Sequence, residues 1–226
     1  MADREINVAA IIVAAGGSTR MDGIDKVMAC IGGRPVLARV LDTFQKCDRV
    51  DQIIVVMNSK NLEEAKQMVA REKWNKVSDV VVGGKRRQDS VIEGLKKIKQ
   101  CKWIVIHDGA RPLMRADLIT KGLDAAKDTG AAAPAIPVTD TIKFIKGSDI
   151  VVQTLPRENL RAVQTPQVFR FDIAQNTYKF TPGDYTDDAS LVEKAGFKVK
   201  LFHGAEDNIK ITTKDDLAVA EVLLKD

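Results

Sequence analysis

Two cations, Arg20 and Lys26, follow an apolar run that starts at Val8 and opens into Ala14-Ala15-Gly16-Gly17-Ser18. Small residues let the backbone approach a ligand closely, and successive exposed N–H groups in such a loop form a nest for phosphate oxygens. Arg20 and Lys26 add full positive charge to whatever the loop holds. The combination suits a polyphosphate. Neither common phosphate loop is present, because no Gly-Lys-Ser/Thr ending occurs and Arg20 and Met21 stand where a dinucleotide fingerprint needs its third glycine. Taken by itself, the stretch is also compatible with a surface turn carrying solvated charges.

Two further constellations sit where apolar runs end. Gly83-Gly84-Lys85-Arg86-Arg87-Gln88-Asp89-Ser90 leaves one run and enters a helical pattern. A glycine turn before a helix offers unpaired N–H donors to a nucleotide base or phosphate, and Ser90 adds a hydroxyl. The plainer reading makes Asp89 or Ser90 a helix cap and Lys85-Arg86-Arg87 a solvated run. His107-Asp108-Gly109-Ala110-Arg111-Pro112 follows the apolar Trp103–Ile106. A carboxylate at a buried strand tip is placed to ligate Mg²⁺ together with substrate phosphates, which points to Asp108. His107 reads as a packing or hydrogen-bonding residue. No Ser/His/Asp, Cys/His or His-Glu-x-x-His arrangement occurs, so covalent hydrolysis and zinc catalysis lack candidates.

The elements that must hold these loops alternate along the chain. Short apolar or β-branched runs at Val50–Met57, Val77–Val82, Trp103–Ile106 and Ala131–Val138 are separated by helical patterns near 35–46, 60–72, 88–100 and 115–129. This rhythm predicts one α/β domain over 1–226, with a Rossmann-like, mostly parallel sheet, helices on both faces and ligands at the carboxyl ends of the strands. Residues 139–156 break the rhythm. Thr141–Lys146 and Ile150–Leu155 read as a hairpin around Gly147-Ser148-Asp149, and a two-stranded ribbon is marginal in isolation. It is expected to pack on a partner subunit. Gln164-Thr165-Pro166-Gln167-Val168-Phe169 reads as an irregular polar turn. Helices are expected near 171–180, 187–195 and 213–225, with a strand near 198–203. Thr186 or Asp187, and Thr213, are the predicted caps.

Composition sets the remaining bounds. A chain of 226 residues is long enough for a full core, and its net charge of +4 is mild. No basic block and no nucleic-acid-binding signature appears, so no nucleic-acid partner is expected. Three cysteines, Cys30, Cys47 and Cys101, lack metal-ligand spacing and read as buried reduced thiols. Met1 to Asn7 is too polar for a signal peptide, and no apolar stretch reaches membrane length. A cytoplasmic protein with no membrane contact is the expectation.

Taken in order, these motifs resemble the 2-C-methyl-D-erythritol 4-phosphate cytidylyltransferases of the non-mevalonate isoprenoid route. The resemblance runs from Ala14-Ala-Gly through Gly83-Gly, His107-Asp108-x-Ala-Arg111-Pro and Pro137-Val-x-Asp-Thr-x-Lys. It continues through Arg157, Gln164-Thr-Pro-Gln-x-Phe, Thr186-Asp187-Asp188-Ala-Ser and Asn208-Ile-Lys-Ile-Thr. It implies a nucleotidyltransferase that joins a sugar-alcohol phosphate to CTP and releases pyrophosphate. It further implies that Ala14, Ala15, Gly16 and Gly17 hold the nucleotide, that Gly83, Gly84 and Ser90 line the cytidine pocket, and that Asp108 faces Mg²⁺ or another divalent cation. Arg20, Lys26 and Lys210 would stabilise the triphosphate and the transition state. Arg111, Thr141, Arg157, Thr165 and Thr186 would hold the acceptor, some of them across a homodimer through the exchanged arm at 139–156. One departure stands out, because the family usually carries Pro-Lys-Gln where this chain has Asp25-Lys26-Val27. Ribitol 5-phosphate cytidylyltransferases share the scaffold and are the rival for the acceptor. A non-catalytic nucleotide-binding regulator is the rival from another class. An NAD-dependent oxidoreductase is disfavoured by Asn58, where an acidic residue would be needed.

Overall fold

Val8–Ala14 (β1) is apolar on both faces and almost fully buried, the pattern of a central parallel strand. It pairs in parallel with Gln52–Met57 (β4) on one side and Trp103–Asp108 (β6) on the other, and Val77–Val82 (β5) extends the sheet beyond β4. The computed structural model describes residues 6–17 and 25–225. Arg20 and Ser18 therefore lie outside the described residues.

Side chains of β1 alternate between two cores. Ala10, Ile12 and Ala14 join Leu37, Leu41 and Phe44 of Val36–Lys46 (α1), Met68 of Leu62–Glu72 (α2) and Leu118, Ile119 and Leu123 of Ala116–Thr129 (α4). Ala9 and Ile11 face Val91 and Leu95 of Arg87–Leu95 (α3), Ile173 of Phe171–Phe180 (α5) and Val192 of Asp188–Lys194 (α6). Helices cover both faces of the sheet, as the alternation along the sequence predicts. A third, smaller core joins Ile31 and Val36 to Ile211 and to Ala220 of Lys214–Leu223 (α7).

The sheet differs from expectation at one edge. Gln167–Arg170 (β11) is a buried strand inserted antiparallel between β6 and Ala131–Pro137 (β7), not an irregular turn. Its polar residues misled the sequence reading because their amides are satisfied internally. Gln167 donates to Asp187 Oδ2 at 2.8 Å and accepts the Ala189 N–H at 2.8 Å, while Gln164 donates to the Ala205 carbonyl at 2.8 Å. Lys200–His203 (β12) and Arg161–Val163 (β10) also pair with β7, in parallel and antiparallel respectively. The short pair Cys30–Ile31 (β2) and Arg34–Pro35 (β3) was also unforeseen. It leaves Cys30 exposed, whereas Cys47 is buried and burial pushes the Cys101 thiol up to about 12.

Lys143–Ile145 (β8) and Val151–Thr154 (β9) form the expected hairpin, a separate two-stranded sheet. Its apolar side chains face outward: Ile150 is 75% exposed and Val152 61%.

α3 lies directly on β1 and β4 because Gly94 has no side chain. A Cβ there would stand 2.7 Å from Ile11 Cγ2 and 3.2 Å from Val56 Cγ2. Gly94→Ala therefore overpacks the core by about 1–3 kcal/mol, and a helix-propensity gain of about 1 kcal/mol offsets only part of that. A lower urea midpoint with an unchanged m value is the expected outcome.

Candidate active site

The carboxyl ends of β1, β5 and β6 open into one cleft. Three loops form it, and missing side chains clasp them together. A Cβ on Gly83 would fall 2.4 Å from Ala15 Cβ and 2.6 Å from Ser90 Oγ, and one on Gly109 would fall 2.8 Å from Ala14 Cβ. The backbone is tied at the same points, with Gly83 N–H on the Met57 carbonyl and Gly109 N–H on the Val13 carbonyl, each at 2.8 Å. Among the described residues a Cβ added to Gly16 or Gly17 would meet nothing within 4 Å, and both glycines line the cleft. Ala14, Ala15, Gly16, Gly17, Gly84 and Ser90 all line it, while Gly83 lies behind as the packing contact.

Charge converges on Asp108. Its side chain is only 10% exposed, and it accepts from Arg87 Nε at 3.0 Å and pairs with Lys210 Nζ at 2.8 Å. Arg111 Nε stands 3.8 Å away. Burial opposes ionisation of this carboxyl, but Arg87, Lys210 and Arg111 outweigh it and hold the group well below the usual carboxylate range. Arg87 continues the network inward, with Nη1 donating to Asp188 Oδ1 at 2.7 Å, where the Tyr178 hydroxyl also donates. Burial opposes the Arg87 charge, yet Asp188 and Asp108 lift its pKa well above the ordinary value. Lys26, Lys85 and Arg86 add further cationic lining, and among the described residues Asp108 is the one carboxylate that lines the cleft.

His107 takes no part in that charge. Burial pushes its pKa down to about 3, so the ring is neutral at ordinary pH. The Arg111 carbonyl facing Nε2 can only accept, so Nδ1 of the neutral ring accepts the Thr165 hydroxyl proton at 2.9 Å, and that hydroxyl oxygen accepts the Asp108 N–H at 3.1 Å. Nε2 donates to the Arg111 carbonyl at 3.3 Å. His107 thus orients the loop that carries Asp108, which is the packing and hydrogen-bonding part read from the sequence.

The structure distributes the other candidates unevenly. Lys26 and Lys210 line the cleft from opposite ends of the sequence. Arg111 and Thr165 lie beneath Asp108, Arg111 with Nη1 on the Asn208 carbonyl at 2.6 Å. Thr186 is exposed just before α6, where Asp187 supplies the cap by accepting the Ser190 N–H. Thr141 and Arg157 are exposed at the base of the hairpin, with Arg157 Nη1 on the Thr139 carbonyl at 2.7 Å.

Sequence reasoning treated Lys85-Arg86-Arg87 as a solvated run or a mere approach to a cap. Asp89 does accept the Arg86 N–H at 3.1 Å. Arg87, however, is ion-paired on both sides. One signal pointed to it: a cation in the first turn of a helix opposes the macrodipole and is favourable there only with an acidic partner.

The sheet, the small-residue clasp and the cationic cleft together define a nucleotidyltransferase. The family model for 2-C-methyl-D-erythritol 4-phosphate cytidylyltransferase matches residues 8–226. A protein of that name from Dehalococcoides mccartyi (strain CBDB1) is 52% identical over 218 residues, covering 96% of each chain. Another from Alkaliphilus oremlandii is 42% identical over 221 residues, covering 95% of this chain and 94% of its own. Among solved structures, 4-diphosphocytidyl-2C-methyl-D-erythritol synthase from Anaerococcus prevotii superposes with a TM-score of 0.87 at 32% identity, covering 98% of this chain and 97% of its own. The Thermus thermophilus cytidylyltransferase gives 0.79 at 29% identity, covering 99% and 100%. The chain belongs to the 2-C-methyl-D-erythritol 4-phosphate cytidylyltransferase family.

Arg87 carries a stability consequence separable from catalysis. Arg87→Met leaves Asp108 and Asp188 without their shared cation, and breaking a buried pair this way costs about 3–5 kcal/mol. Urea unfolding should show that loss, and Asp188→Asn in the same background should recover part of it.

Proposed function

We propose that this chain transfers the cytidylyl group of CTP to the phosphate of 2-C-methyl-D-erythritol 4-phosphate, giving 4-diphosphocytidyl-2-C-methyl-D-erythritol and pyrophosphate. The observation that carries this reading is the cationic cleft over the strand ends, found in a chain of this family. The attacking phosphate is already an anion, so no general base is required, and a neutral, buried His107 is consistent with that. The obstacle is electrostatic: one phosphate must approach another. Catalysis is therefore positioning plus charge neutralisation.

Placement in the cleft supports the roles proposed for the residues that line it. The backbone of Ala14–Gly17 cradles the triphosphate, and Gly84 and Ser90 receive the cytidine, with Gly83 packed behind them. Lys26 and Lys210 neutralise the charge that develops on the phosphates, and Arg20, outside the described residues, is assigned the same task. Mg²⁺ chelated by phosphates needs only one or two protein oxygens, so a single carboxylate in a cationic cleft fits it, and Asp108 is that carboxylate. Among the described residues no cluster of three metal-ligating side chains exists, which suits an ion carried in with the nucleotide. Bound there, the ion would screen phosphate charge from the incoming nucleophile.

The acceptor is assigned to Arg111, Thr141, Arg157, Thr165 and Thr186. The hairpin around 139–156 exposes Phe144, Ile145, Ile150, Val151 and Val152, and its strands pair with no other strand among the described residues. A homodimer in which each arm covers the partner buries that surface and brings Thr141 and Arg157 to the partner's cleft. No helix among the described residues is long and apolar enough to cross a membrane, and we place the enzyme in the cytoplasm.

Pyrophosphate release from CTP should require a divalent cation and methylerythritol phosphate. Strong turnover with ribitol 5-phosphate alone would transfer the acceptor assignment to the rival group. Lys210→Ala should lower kcat by roughly 10²-fold or more with CTP binding largely kept, the scale seen when one transition-state charge stabiliser is removed. Mixing Lys26→Ala with Arg157→Ala chains should restore activity above either parent, because each mixed dimer holds one intact site. Verified subunit exchange without recovery would place Arg157 in its own chain's site.

A further inference from the structure

Lys26 lies between two residues that the structure fixes. On the far side, Val27 is 2% exposed in the core beneath α1, and its carbonyl accepts the Leu37 N–H at 2.9 Å. On the near side, Asp25 is held by its backbone and by both side-chain oxygens. Its carbonyl accepts the Met28 and Ala29 N–H groups at 3.1 and 2.9 Å. Oδ1 accepts the Val27 N–H at 3.1 Å. Oδ2 accepts from the Asn58 amide at 2.9 Å and from the Asn61 amide. Those two asparagines belong to rigid ground: Asn58 directly follows β4, Asn61 precedes α2, and the Asn61 N–H donates to Asn58 Oδ1 at 3.0 Å.

We infer that Asp25 is a positioning residue for Lys26, anchoring the loop that carries it to the end of β4 and the start of α2. The inference rests on the assignment of Lys26 to the triphosphate. The charge of Asp25 makes the point sharper. An anion next to the lysine opposes binding of a polyphosphate, so on Coulombic grounds alone its removal should help. Its presence is accounted for by its hydrogen bonds, which fix the backbone from which Lys26 projects. A side chain held by its neighbours delivers charge at the right place without reorganising during reaction.

The test is a double-mutant cycle on kcat with saturating CTP and acceptor. Asp25→Ala should lower kcat by roughly 10- to 100-fold, the scale of a small misplacement near a reacting centre, with a smaller change in KM for CTP. In a Lys26→Ala background the same substitution should change kcat by less than about twofold, because the residue being positioned is gone. Asp25→Asn, isosteric and equally uncharged, serves if Asp25→Ala does not fold, and should also lower kcat. Unchanged or raised kcat in the Asp25 variants, with Lys26→Ala slow, overturns the positioning assignment and leaves Lys26 in place. An equal loss in both backgrounds also overturns it, since Asp25 would then act on the site by another route. A Lys26→Ala enzyme with normal kcat overturns the reading of Lys26 itself.

Discussion

A carboxylate at the tip of a buried strand is the constraint around which this molecule is arranged. Asp108 ends β6, next to the centre of the sheet, and leaving it uncompensated there would cost several kcal/mol. Arg87 and Lys210 compensate it from two directions, one from the first turn of α3 and one from the segment ahead of α7. Arg87 is itself too buried to stand with one partner, so Asp188 at the start of α6 is drawn into the same network. One charge thus ties together elements from all parts of the chain. What results is a cleft whose net sign suits a polyphosphate and whose one anion among the described residues suits a phosphate-bound cation.

Close approach of backbone is the second requirement, and side-chain volume decides it. The loops after β1, β5 and β6 must stand near one another if their N–H groups are to face a common ligand. Gly83 against Ala15 and Gly109 against Ala14 permit that spacing, and the strand register fixes the height at which it occurs. The neutral His107 beneath Asp108 completes the platform through Thr165 and the Arg111 carbonyl, which ties a polar site to an apolar sheet.

The hairpin obeys a different logic from the body. Its strands have no core beneath them, and its apolar side chains face outward. Polar contacts at its base, such as Arg157 on the Thr139 carbonyl, fix where it leaves the sheet and not what it covers. The body therefore supplies the cationic cleft, and the arm supplies an exposed apolar surface.

Much of this was legible beforehand, because long apolar runs and helical periods are dictated locally. Val77–Val82 and the helix at 171–180 appear with the boundaries their patterns predict, and the glycine loops fall at strand ends as the alternation requires. The strand at Gln167–Arg170 was hidden, since two glutamines look solvent-facing until Asp187, Ala189 and Ala205 are seen to receive them. Arg87 was hidden for the same reason, its partners lying 21 and 101 residues away. Asp25 reads as a break in a family pattern until Asn58 and Asn61, 33 and 36 residues on, are found holding it. By itself the sequence determined the class of fold, the glycine loops at the strand ends and the family, because those depend on residue type and short spacing. Only the tertiary structure decided which charges are paired and which polar groups are buried, because pairing depends on distances that folding creates between residues remote in the chain.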